Sequence, residues 1–300
     1  MQDRRAFLAV IAASAAVGWC SRPTAWGSGP GAGDEPPYPA PDPAAVARFR
    51  KWQADNAMPA AYLVPTGPAP AMAGGTRIGG PAWLGPGESW PRDGKGQPMS
   101  FLGQVDFAAL PQLPDYPTAG VLQFFIGRDL YYGADPNHPD RGQFRLAWRP
   151  DFAGGGRLQH GPQPRGDRFD MNSPLEAATV AHGVALAARS GTSRPTINSW
   201  QFARDLPDLA SAGGRGTVNA MVQARLVEQS EVHHVGGHPQ FTQDDWRGFG
   251  PWKDYDRVLL NLWSDKHIMW GDMGQGQFMI RRADLLKRDF SRVCYSWDCS

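Results

Sequence analysis

Two short apolar runs decide the fold of this chain of 300 residues. Residues 100–106 read Ser-Phe-Leu-Gly-Gln-Val-Asp, and residues 120–126 read Gly-Val-Leu-Gln-Phe-Phe-Ile. Both runs have the length of a strand and lie among glycines and prolines, which is typical of buried strands. Gly (36) and Pro (28) together exceed a fifth of the chain, and neither residue suits a long helix. The sequence therefore predicts a single, β-dominated α+β domain with a few peripheral helices.

The sequence blocks around these runs recur in the same order later in the chain. Gly79-Gly80-Pro81 has a counterpart in residues 236–239, Gly-Gly-His-Pro. Counting 24 residues on from Gly80 leads to Gln104, and the same count from Gly237 leads to Asn261. A Gln-Phe-Phe-Ile block and a Gln-Phe-Met-Ile block then follow. We predict an internal repeat, at about residues 76–133 and 233–285, that forms two similar antiparallel β units. Each unit is too small to bury its own faces, so the two should share one core. Coincidence among glycine-rich strands is the alternative.

Helices are predicted at the periphery of the sheet. Asp42 followed by proline is typical of a helix start, and apolar residues recur at helical spacing until Pro59 ends the helix. A capping box at Ser173 and Glu176 predicts a second helix that runs to about Gly191. Two segments rich in Gly, Pro, Arg and Asp are predicted to be long loops, residues 134–170 and 191–216.

The first 20 residues predict an export signal. Arg4 and Arg5 precede a short apolar run with a small-residue site, which resembles the twin-arginine consensus. The run is shorter than the roughly 20 residues that span a bilayer. A short buried helix at a cytosolic N-terminus is the alternative. Residues 21–41 are rich in Pro, Gly and Ala and predict a disordered tether, followed by a globular domain at 42–300. The expected location is the periplasm.

The chain has three cysteines. Cys20 follows the apolar run, where a lipoprotein signal carries its acylated cysteine, although a bulky tryptophan precedes it. A lipid anchor, removal with the signal and a free thiol are the alternatives. Cys294 and Cys299 lie near the C-terminus, and export would permit a disulfide between them. Two unpaired thiols are equally compatible with the sequence. A metal site at this pair is not expected, because two cysteines are too few ligands.

Ordered blocks at both ends of the domain carry a family resemblance. The first set comprises Gly79-Gly80-Pro81, Trp90-Pro91, residues 101–104, residues 122–126 and Gly133. The second set comprises residues 236–239, Gln243, residues 270–272, Phe278, Asp284-Leu285 and Asp289-Phe290. With these blocks the chain resembles the YwqG-like proteins, bacterial proteins of unknown function, over about residues 45–298. The resemblance implies a mixed α+β fold dominated by strands and leaves the function open. Its usual members are cytosolic, so the predicted export signal departs from them.

The densest group of candidate metal ligands lies between residues 233 and 245. Imidazoles and carboxylates there could hold a divalent transition metal, for which the candidates are His234, His238 and Asp244. The intervening glycines break any regular spacing, so convergence of these ligands is not guaranteed. The alternative is that His238 and Gln243 satisfy backbone groups in a tight turn.

A second group of polar residues lies beside the apolar strands. If the two units are related by a twofold axis, Gln104, Asp106, Asn261 and Asp265 could meet and line a cleft. Hydrogen bonding across a sheet is the alternative. Asp272 lies in a glycine-rich loop, where capping of a turn is favoured over a functional carboxylate. The candidate cleft residues are Gln104, Asp106, His238, Gln243, Asn261, Asp265, Trp270 and Asp272.

The leading functional hypothesis is a cell-envelope module that binds a protein or a small-molecule ligand. The 12 Trp and 7 Tyr residues suit a recognition surface, and the known catalytic motifs for Ser hydrolases, nucleotide phosphates and zinc proteases are missing from the sequence. A metal-assisted hydrolase that uses His234, His238, Asp244 and Asp272 is one alternative. A toxin-neutralising, immunity-like partner is another, by family analogy. No cofactor other than the divalent metal is expected. A net charge of +1 without a basic stripe argues against nucleic-acid binding.

Overall fold

A computed structural model describes residues 40–152, 155–163, 172–227 and 232–299. The strands in these ranges are β1 (Met58–Pro68), β2 (Arg77–Ile78), β3 (Ala82–Leu84), β4 (Ser100–Asp106), β5 (Val121–Ile126), β6 (Phe144–Arg149), β7 (Arg157–Gln159), β8 (Val184–Ser193), β9 (His233–Gly236), β10 (Arg257–Trp263), β11 (Gln275–Ile280) and β12 (Val293–Asp298). The helices are α1 (Pro43–Asp55), α2 (Ala177–His182), α3 (Trp200–Asp205), α4 (Pro207–Ala210), α5 (Arg215–Gln223) and α6 (Arg282–Leu286). Two 3₁₀ turns span Phe107–Ala109 and Trp246–Phe249.

Ten strands form one antiparallel sheet in the order β12-β11-β10-β9-β1-β8-β2-β4-β5-β6. The order is symmetric about the central β1–β8 pair. We call β1, β2, β4, β5 and β6 the first unit, and β8 to β12 the second unit. The leading strands of the two units are exchanged, since β1 pairs with β9 of the second unit and β8 pairs with β2 of the first.

The two units share a pairing register as well as a strand order. Gln104 of β4 pairs with Gln123 of β5, and Asn261 of β10 pairs with Gln277 of β11 at the same place. One β-bulge interrupts each of these strand pairs just before those residues. The predicted fold class, a β-dominated α+β domain of two similar units around one core, is confirmed. That the two units are copies of one sequence stays a prediction.

The sheet curls into a nearly closed barrel whose interior is one hydrophobic core. Its two edge strands approach each other, because Phe144 of β6 packs against Tyr295 of β12 with ring centroids 5.6 Å apart. Phe124 and Phe278 are fully buried and lie 4.9 Å apart across the interior, one from each unit. The apolar residues of both units therefore belong to one cluster, as each alone would leave a sheet face uncovered.

The helices form a second, smaller cluster beside the barrel. Helix α1 begins after Asp42, whose carboxylate accepts a hydrogen bond from the Ala44 amide at 3.0 Å. Its buried Phe49 and Trp52 pack on Phe202 of α3, with ring centroids 6.0 and 5.7 Å away. The predicted amphipathic helix is present, and its apolar face meets other helices rather than the sheet.

Three predictions of local structure are wrong. The capping-box helix is limited to α2, because Gly183 adopts a φ of 70° and residues 184–193 form strand β8. The segment 134–170, predicted as loop, contains β6 and β7. The segment 191–216, also predicted as loop, contains α3 and α4. In each case, tertiary packing overrides a weak local signal from glycine, proline and charged residues.

The predicted signal at residues 1–20, with Cys20, lies outside the described residues, as does the predicted tether up to residue 39. Residues 40 and 41 have no regular secondary structure. None of the helices in the described ranges is long and apolar enough to cross a membrane.

Candidate functional site

A groove of about 880 Å³ opens at one end of the two central strands. One wall consists of the end of β1 and the chain that follows it, residues 65–69 and 71. The opposite wall consists of α2 and the start of β8, residues 178–184 without 180. The wall residues are mainly proline, alanine and glycine, so the groove is apolar along most of its length.

The ionisable side chains that line the groove are all basic. They are His160 after β7, His182 at the end of α2, and Lys266 and His267 between β10 and β11. Among the described residues that line the groove, none is acidic. Lys266 is exposed at the rim, and His267 is half-buried. The groove therefore combines apolar walls with a basic rim.

The rim residues are held by a tight turn that Asp265 organises. One carboxylate oxygen of Asp265 accepts hydrogen bonds from the amides of His267 and Ile268 at 2.7 and 3.1 Å. The carbonyl of His267 accepts a hydrogen bond from the Glu176 amide just before α2, at 3.1 Å. These contacts fix Lys266 and His267 beside α2.

A buried histidine supports the same turn from behind. The Trp263 amide donates to Nδ1 of His233 at 3.0 Å, so the neutral ring carries its proton on Nε2. That nitrogen lies 3.4 Å from the second carboxylate oxygen of Asp265. Burial pushes the pKa of Asp265 upward, but hydrogen bonds from His233 and the His267 amide outweigh it and hold the pKa below its ordinary value. The carboxylate is thus ionised and engaged, which makes it a positioning residue for the rim.

The glycine pair that the sequence singled out shapes the wall formed by α2. Gly79 and Gly80 have φ angles of 64° and 73°, and the Gly80 amide donates to the Thr179 carbonyl at 3.0 Å. A Cβ atom at Gly79 would overlap that same carbonyl. Only glycine therefore lets α2 approach the sheet closely enough to form the groove.

The chemistry of the groove is suited to binding a negatively charged group. A lysine and imidazoles are donors to carboxylate or phosphate oxygens. The Thr66 hydroxyl in the wall already donates to the Ala185 carbonyl at 3.2 Å, and Thr179 is buried. The described groove residues thus offer recognition groups rather than an activated nucleophile.

Gln104 and Asp106, predicted as cleft residues, hold a loop of the first unit. The Gln104 side chain donates to the carbonyls of Ala73 and Gly75 at 2.8 and 2.9 Å. Asp106 accepts from the Gly75 amide at 2.9 Å. Both side chains lie on the outer face of the barrel. Gln104 also contacts Gln123 across the sheet, which is the alternative that the sequence left open.

The predicted cleft residues of the second unit do not meet those of the first. Asn261 is fully buried on the outer face of β10, and four strands of the sheet lie between β10 and β4, which carries Gln104. Trp270 is fully buried in the barrel core, and Asp272 is exposed. Asp265 alone adjoins the groove. The predicted convergence of Gln104, Asp106, Asn261 and Asp265 in one cleft is therefore wrong.

The candidate metal ligands are occupied by backbone groups. The ring nitrogens of His234 lie 3.2 and 3.1 Å from the carbonyls of Val232 and His238. Burial lowers the pKa of His234 to about 4, so the ring is neutral. Nε2 of His238 lies 2.6 Å from the Asn56 carbonyl at the end of α1. In the part of the chain that the structure describes, no three His, Cys, Asp or Glu side chains form a metal-binding group.

Gln243 and Asp244 lie in the turn that follows His238. The Gln243 side chain donates to the Cys299 carbonyl at 2.7 Å, and the backbone amide of Gln243 donates to the Asp298 carboxylate at 3.0 Å. Asp244 is exposed, and partial burial and nearby Asp245 raise its pKa. Gln243 therefore satisfies backbone groups, as one interpretation of the sequence proposed.

The predicted disulfide between Cys294 and Cys299 is wrong. Cys294 is a free, buried thiol on the outer face of β12, packed with Tyr255, Val258 and Met279. Cys299 belongs to the core cluster on the opposite face. Side chains alternate along a strand, so residues an odd number apart face opposite sides. Five extended residues also span roughly 16 Å, whereas the Cα atoms of a disulfide are about 4.4–6.8 Å apart.

Sequence reasoning found Asp265 but missed the side chains that line the groove. His182 and His267 are isolated histidines in sequence, and Lys266 is one of many scattered charges. The available signal was indirect: Gly79, Gly80 and Gly183 marked a close backbone approach. Only the fold brings residues 65–71, 178–184 and 266–267 together.

Comparison with known proteins gives one family match. The family is described as Domain of unknown function (DUF1963), and its model matches residues 76–299, which include the histidines and the lysine of the rim. No curated protein matches the chain.

Proposed function

Because this chain belongs to the DUF1963 family, a domain of unknown function, we propose a function from its own geometry: it is a binding module whose groove takes a ligand with a negatively charged group and an apolar part. The observation that carries the proposal is the rim, where His160, His182, Lys266 and His267 face the groove with no acidic residue among the described lining. The narrower resemblance to the YwqG-like proteins stays a prediction within that family.

The apolar walls and the basic rim make separate contributions to this proposal. Burial of apolar ligand surface contributes about 25 cal/mol per Å². A hydrogen bond between charged groups contributes about 1.5–3 kcal/mol, and 1.4 kcal/mol corresponds to a tenfold change in affinity. The charge of the ligand should therefore decide specificity, while its apolar part adds affinity.

Binding can be measured by NMR on protein with labelled histidine side chains. We expect benzoate and phenyl phosphate to shift the His182 and His267 resonances in a saturable way, and benzyl alcohol to bind at least about tenfold more weakly. Lys266→Met should weaken anion binding by a similar factor. Lys95→Met, a change at an exposed lysine in a distant turn, is the matched control. Equal affinity for the neutral alcohol, or no saturable shift with either anion, would contradict the proposal.

The alternatives from the sequence receive less support. For the metal-assisted hydrolase, the rings of His234 and His238 contact backbone carbonyls, and Asp272 is exposed. Metal analysis of the purified protein remains its test, with stoichiometric zinc or manganese as the supporting result. A toxin-neutralising role rests on the resemblance alone, and a pull-down from an envelope extract would address it.

The cell envelope is the proposed location of the module, on the evidence of the sequence of residues 1–20. We expect a reporter fused after residue 45 to reach the periplasm. A variant with Arg4→Lys and Arg5→Lys should stay in the cytoplasm, as measured by fractionation, while Arg48→Lys with Arg50→Lys in a matched, longer fusion should not. Unchanged export of the first variant would contradict the twin-arginine assignment.

A further inference from the structure

The outer faces of the two units carry equivalent rows of polar residues. Register places Gln104 and Gln123 of the first unit at the positions of Asn261 and Gln277 of the second. Arg149 pairs with Val121 two residues before Gln123, and Asp298 pairs with Gln275 two residues before Gln277. Arg149 and Asp298 are therefore equivalent positions with opposite charge.

In the first unit an internal cation completes this row. Nε of Arg149 donates to the Gln123 side-chain oxygen at 3.0 Å. The other guanidinium nitrogens form two hydrogen bonds of 2.7 Å with Glu88. The Gln123 amide nitrogen faces the Gln104 oxygen at 3.4 Å, and the Gln104 nitrogen donates to two carbonyls. Every side-chain amide group of the row has a partner.

In the second unit, the equivalent row contains buried polar atoms that have no hydrogen-bond partner. The side-chain oxygens and nitrogens of Asn261 and Gln275, the side-chain oxygen of Gln277 and Oδ1 of Asp298 are all buried without a hydrogen-bond partner. The residues Asn261, Gln275 and Gln277 are at least 99 % buried, with exposures of 0, 0 and 1 %. Unpartnered buried polar atoms are costly, at roughly 1–3 kcal/mol each. In this row the unpartnered acceptors outnumber the unpartnered donors by four to two, and one acceptor is a carboxylate oxygen, which favours a ligand that supplies positive charge.

The loop above the row adds two more oxygens. The Gln240 carbonyl accepts from the Gln277 side chain at 3.1 Å, and the Thr242 amide donates to Oδ2 of Asp298 at 2.9 Å. The side-chain oxygen of Gln240 is itself buried and unpartnered, and the Thr242 hydroxyl lies beside the Asp298 carboxylate. They therefore lie over the same two strands as the open acceptors.

We propose that the second unit binds a small monovalent cation between Asp298, Gln277 and the loop of residues 240–242. One carboxylate supplies a single negative charge, and neutral amide and hydroxyl oxygens complete the shell, as hard cations require. The cation occupies the role that the Arg149 guanidinium has in the first unit. The side-chain N–H groups of Asn261 and Gln275 donate to water that accompanies the ion.

Thermal unfolding of the full chain tests the proposal. Chlorides of sodium, potassium, ammonium and tetramethylammonium are compared at constant ionic strength and constant pH. We expect at least one small cation to raise Tm by about 2–4 °C in a saturable manner relative to tetramethylammonium, which is too large to enter.

Variants and a heavy-atom probe complete the test. Asp298→Asn should abolish the cation dependence of Tm, while Asp272→Asn, at an exposed carboxylate, should retain it. Because Asp298→Asn could fail to fold, wild-type crystals soaked in thallium(I) acetate provide an independent result, with an anomalous peak expected between Asp298 and Gln277. Identical Tm in all four salts together with no such peak would overturn the proposal, as would undiminished cation dependence in a folded Asp298→Asn variant.

Discussion

The two units of the barrel have the same strand order and register but complete their outer faces differently. In the first unit, Arg149, which Glu88 holds, donates to Gln123, and Gln104 donates to two backbone carbonyls. In the second unit, Asp298 takes the place of Arg149, and several amide atoms are left without a partner. One backbone frame thus supports a self-contained network on one side and a row of open acceptors on the other.

The inner faces of the two units are alike, whereas their outer faces differ. The inner faces of both units are apolar, and they meet through Phe124 and Phe278 in one core. The outer faces are free to diverge, since each is covered by its own loops. The inner face should therefore govern global stability, and the outer faces should govern local behaviour.

The largest expected effect is on the shared core. Phe124→Ala or Phe278→Ala should each lower the free energy of unfolding by about 3–5 kcal/mol, because the removed rings are fully buried and pack on each other. Denaturant unfolding, followed by both fluorescence and circular dichroism, should show a single transition for either variant. Two separate transitions would mean that the units do not share a core.

An intermediate effect is expected at the equivalent glycines Gly79 and Gly236. Both have positive φ, at 64° and 71°, so alanine costs about 1–2 kcal/mol at either. At Gly79 a Cβ would also overlap the Thr179 carbonyl, whereas at Gly236 it would meet Leu113 at 3.1 Å. Gly79→Ala should therefore be more destabilising by a further 1–3 kcal/mol or so, as measured by urea unfolding. Equal costs would contradict the close approach of α2.

The pH dependence of stability should have opposite signs on the two outer faces. The Arg149 guanidinium lowers the pKa of Glu88, so the stability from this pair is present above its ordinary pKa of 4.5 and is lost as the pH falls. This exposed pair contributes about 0.2–1 kcal/mol. Burial raises the pKa of Asp298, so the free energy of unfolding should fall as the pH rises from about 4 to 7.

Glu88→Gln and Asp298→Asn separate these two contributions. In tetramethylammonium buffer, Glu88→Gln should remove part of the fall in the free energy of unfolding at low pH. Asp298→Asn should remove the fall in the free energy of unfolding between pH 4 and 7. Melting curves across this range measure both. A decline between pH 4 and 7 that persists in Asp298→Asn would assign it to other groups.

Sequence patterns predicted the inner face better than the outer one. The apolar runs at residues 100–106 and 120–126 depend on a short-range pattern, which the chain carries locally. The exchange of β1 and β8 depends on pairing between distant residues, and no local signal encodes it. The groove was missed for the same reason, since the fold alone brings Lys266, between β10 and β11, close to His182 at the end of α2. The sequence left open a disulfide between Cys294 and Cys299, because their proximity in sequence does not reveal that they face opposite sides of the sheet.

Because the leading strands are exchanged, part of the sheet can form only after most of the chain has been synthesised. β1 ends at Pro68, and its neighbour β9 begins only at His233, so a ribosome has released most of the chain before β1 can be paired on both edges. Until then the nascent first unit presents an open strand edge, which is prone to association with other chains. Completion of the barrel is therefore a late, whole-chain event. The twin-arginine route that we propose carries folded cargo and would have to wait for this event.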